Sequence, residues 1–185
     1  MATAIPSALP LPTISKGVNE HPTFWFYVPY KTSSVSSGQF SLEDTEGNPF
    51  YQTSFKLPNT PGFVSVNIPT TEKTLEKNKP YNWTFTLNCA SQDSTQPNFV
   101  LHRGVVQRVD RADLETQLKT ATMGKRLELY IENGIWYDAP TGLTEIRSDR
   151  QAWLKLFKAI DLEQLEQEAI AGSVVPVENS PSEEK

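Results

Sequence analysis

Apolar and polar side chains alternate strictly from residue 81 to residue 89, with Tyr81, Trp83, Phe85, Leu87 and Cys89 on one side and Asn82, Thr84, Thr86 and Asn88 on the other. A period of two marks a strand with one buried face. Similar segments lie on either side of it. Phe63-Val64-Ser65-Val66-Asn67-Ile68 alternates, Gln39–Glu43 and Phe50–Leu57 flank the turn signal Glu46-Gly47-Asn48-Pro49, and Phe99–Val109 forms a last long strand. The stretch Thr23–Tyr30 does not alternate, because large apolar side chains occupy both of its faces. A strand of that kind needs cover on each side, which predicts helices outside one sheet.

Six or seven strands separated by frequent turns predict an immunoglobulin-like antiparallel β-sandwich over residues 8–109. Residues 1–22 hold four prolines and read as an extended N-terminal arm, with an edge strand at Ala8–Ile14 where proline is tolerated. Residues 23–109 are the sandwich itself.

The period changes at Asp110. Asp110 or Asp113 caps a helix running through Thr120, with Leu114 and Leu118 one turn apart, and Gly124 breaks it. A second helix carries Leu127, Leu129, Tyr130 and Ile131 and ends at Asn133-Gly134. Ile135–Ile146 reads as a third, with Pro140 in its first turn or kinking it. Asp149 caps a fourth helix with Trp153, Leu154, Leu156 and Phe157, and Asp161–Ile170 forms a fifth, acidic piece. Residues 110–170 are thus expected to be a C-terminal helical subdomain packed on one sheet, making the fold class α+β. From residue 171 to 185 Gly, Pro, Ser and Glu predominate, the composition of a disordered acidic tail.

Charge and composition narrow the function classes. The net charge is −5, but residues 1–110 carry eight basic and eight acidic side chains and residues 111–160 eight and seven. The acidity belongs to the end of the chain, and no basic stripe is present to neutralise phosphates, so nucleic acid is not the expected partner. No apolar run is long enough to span a membrane as a helix. Met1–Pro12 lacks a basic leader followed by an unbroken apolar run and does not read as a signal peptide. Cys89, His21 and His102 are too few and too far apart for a structural metal site, and Cys89 reads as a buried, unreactive thiol. Asn82-Trp83-Thr84 matches a glycosylation sequon, a short pattern of little weight within a strand.

No nucleophile elbow and no phosphate-cradling glycine loop is found, so no catalytic residue and no cofactor is assigned. The one catalytic alternative is a carboxylate pair, Glu132 with Asp138, in a hydrolase. The aromatic run Thr23–Tyr30 is expected to serve the core, with a polysaccharide or cell-envelope platform as the alternative. The string Glu132-Asn133-Gly134-Ile135-Trp136-Tyr137-Asp138-Ala139 resembles the corner of one helical-repeat unit. Trp136 and Tyr137 either dock that corner onto the sandwich or, with Glu132, Asn133 and Asp138, line a partner-binding groove. The expected function is a non-catalytic adaptor or interaction module that recognises another protein.

Three strings taken together, Pro22–Tyr30, Gly47-Asn48 followed by Tyr51-Gln52-Thr53, and Glu132–Ala139, resemble a cyanobacterial family of domains of unknown function. The resemblance covers roughly residues 8–160 and brings no catalytic residues. It implies an extracytoplasmic or periplasmic home, since members are usually predicted to be exported. They often carry a cysteine ahead of the first strand, which this chain lacks.

Overall fold

The computed structural model describes residues 15–90, 99–135, 137–139, 147, 149–159 and 161–177. Its strands are β1 (Ser15–Gly17), β2 (Thr23–Val28), β3 (Val35–Asp44), β4 (Pro49–Lys56), β5 (Gly62–Asn67), β6 (Pro80–Cys89), β7 (Phe99–Arg108), β8 (Ile170–Ser173) and β9 (Val175–Pro176). Three α-helices accompany them among the described residues: α1 (Ala112–Thr120), α2 (Met123–Glu132) and α3 (Arg150–Ala159). The expected edge strand Ala8–Ile14 and the remainder of the third helix from Pro140 to Ile146 lie outside the described residues.

Among the described residues the strands form a six-stranded sheet in the order β1-β7-β6-β3-β4-β9 and a three-stranded sheet in the order β2-β5-β8. The fold is α+β, but the expectation of wholly antiparallel pairing fails in two places. β1 runs parallel to β7 and β8 runs parallel to β5, so both sheets are mixed. The alternation of β6 holds as far as Leu87, whereas Cys89 at the strand end is only half-buried, not the buried thiol expected. Tyr81, Trp83, Phe85 and Leu87 are buried between the sheets. There Phe26 stacks on Phe85 at 4.0 Å and Phe24 tilts against Phe40 at 4.8 Å. Gly104 of β7 lies so close to Trp83 that a Cβ would sit 2.4 Å from the indole, so the large ring fits only because the opposite strand has no side chain there.

The two-sided apolar character of β2 is explained by its place in a middle layer. Phe24, Phe26 and Val28 point into the sandwich, while Trp25 and Tyr27 pack with the helices on the other side. β5 beside it is buried on both faces, and its Phe63 meets Phe157 at 5.5 Å and Trp153 at 6.4 Å. Enclosing one such side chain is worth about 1.5–3 kcal/mol. The order of layers is therefore large sheet, small sheet, helices.

The helical half differs from its sequence reading in three details. Gly124 does not break the first helix: it sits in the first turn of α2, which Thr122 starts by accepting the Lys125 N–H at 3.4 Å. Neither Asp110 nor Asp113 caps α1, which Arg111 precedes without a side-chain cap, although Asp113 lies in its first turn. Residues 137–139 form a turn, and Glu163–Leu165 is only a short 3-10 turn within the expected fifth helix. Asp149 does cap α3, its Oδ1 accepting from the Gln151 and Ala152 amides, each at 3.1 Å.

A larger difference concerns residues 170–176. Composition assigns most of them to a disordered tail, yet β8 pairs with β5, Val174 is buried, and β9 pairs with Phe55 and Lys56 of β4. Backbone pairing at two sheet edges orders a segment whose side chains alone give little reason for it.

Candidate functional site

The most distinctive string in the sequence, residues 132–139, is turned inward by the end of α2. Gly134 takes φ of 66°, the Ile135 N–H donates to the Tyr130 carbonyl at 2.9 Å, and the Gly134 N–H donates to that of Ile131 at 3.2 Å. This is a complete Schellman ending, and it reverses the chain so that Ile135, Tyr137, Asp138 and Ala139 all enter the interior. Tyr137 packs edge-on against Phe24 at 5.0 Å, and its Oη accepts a hydrogen bond from Trp83 Nε1. Burial pushes the Tyr137 phenol far above its ordinary range.

Asp138 has no exposed surface. Its Oδ2 accepts the Val18 N–H at 2.6 Å, and its Oδ1 accepts from the Asn19 side-chain amide. A Cβ on Gly17 would lie 3.1 Å from Oδ2, so the strand carrying Gly17 approaches as closely as backbone allows. Burial raises the Asp138 pKa from 3.8 to about 6, against the opposing effect of its hydrogen bonds to Val18 and Asn19. The carboxyl pins the segment after β1 to the turn after α2.

A cleft of about 420 Å³ opens beside this anchor. Val18, Asn19 and Glu20 form one wall, Arg108 at the end of β7 lies at its base, Glu115, Leu118 and Lys119 come from α1, and Arg126 and Tyr130 from α2. Arg108 is fixed in place: Nε donates to the Val18 carbonyl at 3.3 Å, Nη1 to that of Leu75 at 3.1 Å, and Nη2 pairs with Glu20 at 3.3 Å. Arg126 donates through Nε to the Leu118 carbonyl at 2.9 Å, tying α2 to the end of α1. Burial, with the nearby Asp138 charge, raises the Tyr130 pKa to about 12, although Arg126 opposes the shift. Glu115 Oε1 is shielded from solvent and has no hydrogen-bond partner among the described residues.

The five residues expected to line a partner groove are separated by the fold. Tyr137 and Asp138 are 4% and 0% exposed, so neither side chain can meet a partner on this surface. The reason is the Schellman turn, which folds the string into the core. Asn133 is a local tie, donating to the Leu129 carbonyl at 2.8 Å and accepting from Arg111 at 2.9 Å. Glu132 points to solvent, and Trp136 lies outside the described residues. The carboxylate pair is also divided, with Glu132 exposed and Asp138 enclosed. Of the histidines, His21 contacts the Glu72 carbonyl at 3.2 Å, and His102 sits half-buried on β7, where burial lowers its pKa. Among the described residues no three His, Cys, Asp or Glu side chains gather as metal ligands would.

Sequence reasoning missed the cleft because its walls come from four separate segments. Two signals were present. Glu115 and Lys119, like Arg126 and Tyr130, are spaced i, i+4 and share a helix face, and Arg108 interrupts the apolar run of Val105, Val106 and Val109.

No helix among the described residues is long and apolar enough to cross a membrane. No curated protein and no solved structure shows a significant match to the chain. One family model does match, over residues 3–170, and the chain belongs to that family, described as Domain of Unknown Function (DUF928).

Proposed function

We propose that this chain is a non-catalytic interaction module that recognises another protein through the cleft between the Val18–Glu20 segment and helices α1 and α2. The observation that carries this reading is the character of the cleft lining. The cleft is lined by the cations Arg108, Lys119 and Arg126, the carboxylates Glu20 and Glu115 and the apolar side chains Val18 and Leu118. Charges of both signs beside apolar side chains suit a polypeptide segment, which offers both signs and a hydrophobic anchor. Acid–base chemistry is not favoured, because the carboxyl whose proton affinity burial raises, Asp138, is sealed from any substrate. The carbohydrate-platform reading is weaker, since Trp83 and Trp153 are buried and Trp25 packs under the helices.

The test compares capture from native extract by the wild-type chain and by Lys119→Glu, a change at an exposed position. A protein retained by the wild type, lost by the variant and released by salt supports the cleft. Identical capture profiles for the two chains would reject it. A cyanobacterial origin and an extracytoplasmic home belong to the same proposal, supported by the three strings and tested by cell fractionation.

A further inference from the structure

Part of the charge in the cleft beside α1 and α2 is matched within its own wall. Arg108 lies 3.3 Å from Glu20, so that cation and that carboxylate balance each other. Two cations of the lining, Lys119 and Arg126, then stand against one carboxylate, Glu115. The apolar lining is small in area, since Val18 and Leu118 are each only 8% exposed. Charge therefore decides what the cleft selects.

The two cations are brought to one place by the fold. Arg126 donates through Nε to the Leu118 carbonyl at 2.9 Å, which carries the guanidinium of α2 to the last turn of α1, where Lys119 follows. That bond also restrains the guanidinium plane, and a restrained planar fork is matched to a carboxylate. Tyr130 lies one turn beyond Arg126 on the same face of α2 and lines the same cleft. Its phenol, raised to about 12, keeps its proton at neutral pH and supplies a further donor. Glu115, one turn before Lys119, keeps the excess of positive charge small. Such a site suits the single charge of a carboxylate better than the nearly double charge of a phosphate group.

On the reading that the cleft takes a polypeptide, we propose that its partner presents an acidic segment, one of whose carboxylates binds between Lys119 and Arg126 with the Tyr130 hydroxyl as a further donor.

Substitutions at the two ends of this charge pattern must then act with opposite sign. Lys119→Gln removes an attraction and weakens binding, whereas Glu115→Gln removes a repulsion and strengthens it. A merely structural role for these two residues predicts a loss in both variants. Lys119 is exposed, so its replacement leaves the packing of α1 as it is.

A phage-displayed library of random peptides, selected on the full chain, supplies the probe. Enriched sequences should be acidic, and the synthetic peptide should shift the Val18, Leu118 and Lys119 amide signals in NMR spectra. Changing its Asp and Glu to Asn and Gln should weaken binding by about 10-fold or more. Lys119→Gln should weaken the acidic peptide by about 3- to 5-fold, the range of an exposed ion pair, and Glu115→Gln should tighten it by a similar factor. If Glu115→Gln does not fold, Lys119→Gln and the amidated peptide decide the matter. Enriched peptides that shift the same amides but are basic or uncharged overturn the acidic segment and leave the polypeptide reading standing. Unchanged or tighter binding by Lys119→Gln does the same, as does tighter binding of the peptide with phosphoserine in place of its Asp. If no selected peptide shifts the cleft amides, the polypeptide reading fails and the acidic segment with it.

Discussion

Replacing Asp138 by asparagine isolates the cost of enclosing a carboxylate in this fold. The ordinary carboxyl value of 3.8 applies in the unfolded chain, while burial raises it to about 6 in the folded one. Between those values the folded chain holds a proton that the unfolded chain has lost, so stability falls as pH rises. Above about pH 6 the full cost remains, and below about pH 4 both states are protonated and the group contributes nothing. The interval corresponds to about 3 kcal/mol. Asparagine keeps the shape and can keep both contacts: its oxygen accepts the Val18 N–H, and its amide donates to Asn19 once that side chain turns over. Urea unfolding of both chains from about pH 4 to pH 8 should show the asparagine variant gaining on the wild type as pH rises, by up to about 3 kcal/mol, then levelling. The difference between the chains is the quantity to follow. Asp44, Asp113 and Glu128, held below the usual carboxylate range by hydrogen bonds from Asn48, Arg111 and Lys155, slope the other way in both. A difference independent of pH would refute the burial argument. A variant that loses ground as pH rises would show instead that the hydrogen bonds to the anion outweigh its desolvation.

Two further substitutions test the contacts that position the turn after α2. Tyr137→Phe leaves the Trp83 Nε1–H without its acceptor in the core and should cost about 1–3 kcal/mol in chemical unfolding. A loss below about 0.5 kcal/mol would mean that the bond is not made in solution. Gly134→Ala places a side chain at φ of 66° and should lower stability by about 1–2 kcal/mol. An unchanged thermal midpoint would show that the Schellman ending is not held in solution.

What the sequence revealed follows the range of the forces involved. The period of β6, the two-sided burial of β2, the Asn133-Gly134 ending and the Asp149 cap are local patterns, legible from a few neighbouring residues. The end of α1 at Thr120 is legible, but the start of α2 ahead of Gly124 is not, because two local signals compete there. Gly124 is a weak helix former, but the hydroxyl of Thr122 sets the start of α2 ahead of it. The fate of residues 135–139 was not legible. An apolar string after a helix reads as more helix, and only the Val18 backbone, 120 positions away, reveals why Asp138 is drawn inside. The strands β8 and β9 were hidden for the same reason: partner edges hold them, and Gly172 and Pro176 give no strand signal. The cleft, assembled from distant walls, required the fold.

The segment 170–176 has a consequence for how the protein is made. It adds a strand to the small sheet beside residues 63–65, then one to the large sheet beside residues 55 and 56. Until residues 170–176 leave the ribosome, neither sheet is complete. β2 and β5 can by then pack on the large sheet through Phe24, Phe26 and Val28, but the edge of β5 that β8 covers is still open. Pairing Phe63 with Ile170 and Phe55 with Pro176 joins residues far apart in sequence, so this closure is slow. Until the helices within residues 112–159 have also emerged, the nascent domain presents Trp25, Tyr27 and Phe63 without their cover. Its exposure to chaperones and to aggregation is concentrated in that interval.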